Sequence, residues 1–176
     1  MMRHLILLAL LPILLVLNYS VLEREQLRNN GELVLLELAP VDPRSLMQGD
    51  YMRLQYSLVQ QASSAWRTMR NEARGGNVSE PRGRLMVIEL DESARASFAR
   101  FYSQGEGLAQ NERLIAFQFH PDGGSRSIRL LPQSFFFQEG QASHFEKARF
   151  GMMHLGPEGD HILVGLADEA GRQIKP

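Results

Sequence analysis

Residues 5–17 read LILLALLPILLVL, thirteen apolar residues without interruption, and nothing else in the chain restricts its folding so strongly. Asn18, Tyr19, Ser20, Val21 and Leu22 follow before the first charges at Glu23 and Arg24. As a helix, residues 5–22 cover roughly 27 Å at about 1.5 Å per residue, close to the hydrocarbon thickness of a bilayer, with Tyr19 near one interface. Pro12 is a place for a kink. The segment predicts a single-pass membrane anchor over residues 1–22, with membrane lipid as its partner across 5–22. A cleaved signal peptide is the rival, because an apolar run of this size behind Arg3 has the dimensions of an h-region. The following NYSVLEREQL, however, offers no small-x-small cleavage site. A four-residue tail before a signal-like run is readily retained in the cytoplasm, which puts the remainder outside it. One Arg before the span against Arg24 and Arg28 after it pulls weakly the other way. The expected location is the inner (cytoplasmic) membrane, with a periplasmic or other extracytoplasmic C-terminal domain.

Besides the anchor, a chain of 176 residues, 44% hydrophobic and 22% charged in all, leaves room for one folded domain and no more. Nineteen basic and twenty acidic residues give a formal net charge of −1, so the cationic field that phosphate backbones require is missing and nucleic acid is not an expected partner. The absence of Cys excludes disulfides, thiolate metal sites, Fe–S clusters, a cysteine nucleophile and a lipidated N-terminal Cys. No cofactor is indicated.

Residues 23–31 are polar, with Val21, Leu22 and Leu27 spaced for a short helical extension ending at Asn29, Asn30 and Gly31; they read as a stalk. From residue 32 the pattern becomes that of short strands separated by turn residues. Strands are expected at 32–38, 51–59, 84–90, 97–102, 113–120, 127–131 and 135–137, with a hairpin about the PDGG of residues 121–124 and a terminal hairpin from 150–155 and 161–166. In 51–59 the alternation puts Met52, Leu54, Tyr56 and Leu58 on one face, and Tyr51, Arg53, Gln55 and Ser57 on the other. Helical spacing replaces it in 60–74, through Val59, Ala62, Trp66, Met69 and Ala73, and returns briefly in 141–149. The expected fold class is therefore α+β, mainly β: an N-terminal transmembrane helix, a short stalk and a single β-rich domain over 32–176 with two short helical excursions.

The most distinctive string is GDYMRLQY at residues 49–56, preceded by DPRSL. Gly49 tolerates positive φ and Asp50 can accept hydrogen bonds from the amides after it, which starts a strand cleanly from a turn. Leu54 and Tyr56 then belong to the core, while Asp50, Tyr51 and Arg53 are candidates for a binding surface, Tyr and Arg being residue types that anchor interfaces. Glu139, before Gly140, sits where a strand gives way to a helix, and its carboxylate suits the exposed amides there.

At GDYMRLQY the chain resembles the bacterial membrane-anchored proteins named for their GDYxxLxY motif. The resemblance extends to the N-terminal anchor, the DPR-small-L run before GDY, the FFFQEGQA segment at 135–142, the EKARFG run at 146–151, and VGLADEAG at 164–171. It implies a membrane location and covers most of the chain, but it brings no reaction, since that family is functionally uncharacterised. The Trp66 helix region is longer than the resemblance leads one to expect.

Two chemistries are set aside. PRSLMQGDYMRL echoes the strand entry of membrane-anchored signal peptidases, but Val41 stands where their serine would be, and only Lys147 and Lys175 could serve as a lysine base. His144, His154 and His161 lie near Glu146, Glu158 and Asp160 in sequence, but no spacing puts two imidazoles on one side of an element, so no metal site is expected. No nucleophile, base and orienter can be assembled. The leading expectation is a non-catalytic module that binds a multi-pass membrane or envelope protein. The alternative is a small-ligand binder or enzyme with a dispersed polar site around the GDY turn, and a cleft grouping Asp50, Arg53 and Glu139 would favour it.

Overall fold

The computed structural model describes residues 2–39, 51–72, 84–122 and 125–175. Helix α1 (Met2–Asn30) carries the apolar run and the polar stretch after it as one continuous helix, with Pro12 inside it. It ends where Asn29, Asn30 and Gly31 were expected to end it. Among the described residues no helix is long and apolar enough to cross a membrane. The reason lies in composition: the described side chains of α1 are Leu10 and residues 12–30, and the latter include Glu23, Arg24, Glu25 and Arg28. Residues 5–9 and 11, the most apolar part of the run, have side chains outside that set. The chain as described thus has a helix where a transmembrane helix was expected, without the apolar length that would make it one.

Strands β1 (Glu32–Glu37), β3 (Leu85–Leu90), β4 (Arg95–Phe101), β5 (Glu112–Ala116), β9 (Phe150–Leu155) and β10 (His161–Ala167) form a six-stranded sheet in the order β10-β9-β1-β4-β3-β5. Only β1 and β4 are parallel, and they share just Leu35↔Arg95 and Leu36↔Ala96; the other neighbours are antiparallel. So short a parallel contact lets the two antiparallel halves rotate about it, and the sheet coils until its ends meet. The Ala116 amide at the end of β5 donates to the carbonyl of Gly159, in the β9–β10 turn (2.8 Å). Arg113 of β5 likewise pairs with Glu32 at the start of β1.

The inside of this coil is the core. Val34, Leu36, Met86, Ile88, Ile115, Met153 and Leu166 project into it from five strands, all fully buried. Helix α2 (Ser57–Glu72) closes one side with Leu58, Ala62 and Trp66, the indole packing on the rings of Phe101 and Phe119 at 5.9 and 5.2 Å. Two further ribbons complete the cover: β6 (Gln118–Asp122) with β7 (Ser125–Arg129), and β2 (Tyr51–Arg53) with β8 (Ser134–Phe136). A single turn, α3 (Ala142–Phe145), inserts Phe145.

The α+β, mainly β class is the observed one; several strands shift by one or two residues, 97–102 being Arg95–Phe101 and 127–131 being Ser125–Arg129, and three differences are larger. The strand expected over 51–59 stops at Arg53, and the helix expected from 60 begins at Ser57, because Leu58 fits either period and its helical partners Ala62 and Trp66 decide it. That helix spans 16 residues and is no short excursion; Met69 on its expected inner face is exposed, and Ala73 lies outside the described residues. The strand expected over 113–120 is two strands, because the chain breaks step at Phe117 to bury that ring. Strands β6 and β7 pair on either side of the expected 121–124 reversal, with Asp122 opposite Ser125; residues 123 and 124 lie outside the described residues.

The C-terminal end of α1 is docked on the sheet. Leu27 is its buried side chain, against β9 and β10, and the His154 ring donates from Nδ1 to the Arg28 carbonyl (2.6 Å). Gly31 makes the approach possible: a Cβ there would lie 2.7 Å from the Cβ of His154. The stretch expected to be a stalk is in this way partly attached to the domain.

Candidate functional site

The motif string does its structural work through the β2–β8 ribbon. Tyr51, Met52 and Arg53 pair with Phe136, Phe135 and Ser134, and the contact continues past the ladder as Leu54 donates its amide to Gln133 O (2.8 Å). Alternation then sorts the side chains. Met52, Leu54 and Tyr56 are buried, as expected. The Tyr56 phenol donates to the carbonyl of Pro132 (2.8 Å), and burial pushes its pKa well above the ordinary tyrosine value. That hydroxyl is a structural donor held in its neutral form. Leu38, at the end of β1, bridges to Tyr56 and donates its amide to Arg149 O.

Tyr56 also explains a residue the sequence reading did not single out. A Cβ on Gly151, in β9, would lie 3.1 Å from Tyr56 Cε1, so the absence of a side chain at 151 makes space for the ring. Tyr56 is the last residue of the 49–56 string and Gly151 the last of the 146–151 run. The 135–142 segment supplies the partner strand, and its Phe135 and Phe137 both pack on Phe145, at 5.1 and 5.2 Å between ring centroids. Three separate sequence signatures are thus faces of one packing unit.

On the outward side of the same ribbon lie Tyr51, Arg53 and Phe136. The Tyr51 and Phe136 rings sit 5.7 Å apart, Phe136 is 74% exposed, and Arg53 is exposed beside them. Two of the expected surface residues therefore share a face, joined by Phe136. Gly49 and Asp50 lie outside the described residues. Glu139 is exposed in the turn after β8, where Gly140 takes φ +82°. The helix that follows, α3, is a single turn starting from Gln141, whose own side chain makes no capping bond. No ion pair joins Arg53 to Glu139 among the described residues.

Among the described residues, clefts adjoin the ribbon on two sides. One, of about 190 Å³, is bordered by Gln55, Tyr56, Gln60, Arg129 and Gln133. The other, of about 610 Å³, runs between Arg24 of α1, the 131–136 segment and the first residues of β10, with largely apolar walls. Neither includes Arg53 or Glu139. Two histidines are held by backbone carbonyls: His154 at the end of α1, and His161, which borders the larger cleft, donating from Nε2 to the Leu131 carbonyl (2.8 Å). Among the described residues no three of His, Asp and Glu gather as metal ligands would.

A coiled β sheet preceded by a docked N-terminal helix, with a short ribbon clamped across it by a buried tyrosine, defines a small α+β module whose sequence signatures serve one packing unit. The chain matches the GDYXXLXY protein family over residues 13–166 and belongs to it. Neither a curated protein nor a solved structure matches the chain.

Proposed function

We propose that the protein is a non-catalytic binding module, anchored by residues 1–22 in the inner membrane of a bacterium. In this reading its domain lies on the extracytoplasmic side and engages a multi-pass membrane or envelope protein through the outward face of β2–β8. The observation that carries the reading is Phe136: a large aromatic, mostly exposed, packed at a tilt against Tyr51 and next to an exposed Arg. Aromatic and Arg side chains gathered on a rigid ribbon are the composition of an interface centre. The anchor is supported by the apolar run of residues 5–17, by the single helix that contains it, and by the exposure of every described apolar side chain from Leu10 to Leu22.

The test is crosslinking in intact membranes with Tyr51→Ala, Arg53→Ala and Phe136→Ala, each checked by thermal denaturation. Variants that melt like the parent but lose a specific crosslinked species support the reading; variants that crosslink like the parent overturn it. The cleft between Gln55, Gln133 and Arg129 favours a second reading, a small polar ligand held beside the motif. Gln133→Ala would then weaken ligand binding and leave crosslinking intact.

A further inference from the structure

We propose that the cleft between α1 and the 131–136 segment takes an acyl chain of the surrounding bilayer, with Arg24 beside the phosphate of that lipid. The inference rests on the membrane-anchored reading and adds to it a lipid site on the domain itself.

Position is the first argument. The described apolar side chains of α1 from Leu10 to Leu22 are exposed, Leu27 is buried against the sheet, and Arg24 lies between them and borders the cleft. The cleft therefore opens where the helix leaves the domain, within a turn of the last apolar residue of the expected span. A bilayer surrounding that span would present acyl chains and phosphates at this level.

Chemistry is the second. Leu131, Phe135, Phe136, Ile162 and Leu163 form the walls, and Leu131 and Phe136 remain 45% and 74% exposed. Besides Arg24, the polar residues at the cleft are Ser134, Asp160 and His161. His161 is hydrogen-bonded to the Leu131 carbonyl, and the Asp160 carboxylate folds against Gly156 in its own turn. Arg24, by contrast, makes no ion pair among the described residues. A largely apolar trough of about 610 Å³ bordered by Arg24 has the size of a small-molecule site, and an acyl tail in the trough with its phosphate at Arg24 is the arrangement that suits a phospholipid.

The test uses the full chain reconstituted in phosphatidylcholine–phosphatidylglycerol vesicles, with ordinary or dibrominated acyl chains, and tryptophan as the reporter. The parent, whose one tryptophan is the buried Trp66, sets the background. Leu14→Trp reports the anchor, Leu131→Trp and Phe136→Trp report the cleft, and Leu108→Trp, before the end of β5 opposite to Ala116, is the exposed control. Circular dichroism shows which variants fold, and two cleft positions guard against one that does not. The expected result is a blue-shifted emission quenched by brominated lipid at Leu14→Trp and at the cleft variants, and unquenched emission at Leu108→Trp. Quenching at Leu14→Trp without quenching in the cleft overturns the lipid site and leaves the anchor standing. A blue shift in the cleft without quenching means that protein covers it, for instance a second copy, and also overturns the proposal. No quenching at Leu14→Trp removes the membrane reading and the lipid site with it.

Discussion

Tyr56 is the residue on which the motif turns, because one side chain fills core, donates a hydrogen bond and requires a glycine opposite. Truncation to Ala should destabilise the fold by about 3–5 kcal/mol, as removal of a buried ring does. Tyr56→Phe keeps the ring and leaves the Pro132 carbonyl without its donor, a loss of about 1 kcal/mol. Denaturant melts of the detergent-solubilised chain separate the two. Gly151→Ala should also destabilise, since its methyl meets the ring at 3.1 Å. The penalty should shrink in the Tyr56→Ala background, because the cavity takes up the methyl; neighbours in contact are non-additive in this way. The same burial makes a pH prediction. The folded-state phenol ionises well above the ordinary value, whereas in the unfolded chain it ionises near the ordinary tyrosine value of about 10. Above that pH the unfolded state binds fewer protons than the folded one, so stability falls as pH rises, having been fully present below it. In Tyr56→Phe that part of the alkaline fall should vanish, as melts across the alkaline range would record.

At the scale of elements, the docking of α1 depends on the missing side chain at Gly31. A Cβ there would sit 2.5 Å from the Leu27 carbonyl and 2.7 Å from His154 Cβ, neither of which is a flexible chain end that can step aside. Gly31→Ala should detach the last turns of the helix while leaving the sheet folded. Trypsin should then cut faster at Arg24 and Arg28, with the melting of the domain little changed; unchanged cleavage would mean that the helix end is not held at this point. How legible such features were in sequence depends on whether the interaction is local. Alternation identified Met52, Leu54, Tyr56 and Leu58 as inward, and all four are buried, yet the strand ends at Arg53 because Leu58 also satisfies the helical period of Ala62 and Trp66. The β9–β10 hairpin was legible from its own turn. The pairing of Tyr51 with Phe136, 85 positions away in sequence, was not, because alternation fixes which face a residue takes but says nothing about which strand lies beside it. Phe136 is correspondingly not legible in sequence as a neighbour of Tyr51 and Arg53.

Across the whole molecule, the coil of the sheet is secured at a place with no sequence signature, where the β9–β10 turn reaches the far edge strand. Gly159 stands there at φ +89°, its carbonyl accepting the Ala116 amide, and a Cβ on it would meet Leu85 Cδ2 at 2.8 Å and the Ala116 nitrogen at 3.3 Å. Gly140 has nearly the same backbone, φ +82°, but a Cβ on it would meet nothing within 4 Å. The two positions therefore form a controlled pair. Gly140→Ala should cost only the left-handed strain of an L-residue, about 1–2 kcal/mol. Gly159→Ala carries that strain, turns the Leu85 side chain aside and crowds β5, where the Ala116 nitrogen and the Leu114 Cβ would stand at 3.3 Å, so it should cost more. If the coil is secured through this contact, Gly159→Ala should in addition raise hydrogen exchange at Ala116 and weaken the Arg113–Glu32 pairing across the same gap, whereas Gly140→Ala should leave both as they are. Equal losses of stability in the two variants, with exchange at Ala116 unmoved, would mean that the sheet keeps its curvature through twist alone and that the turn only rests against it.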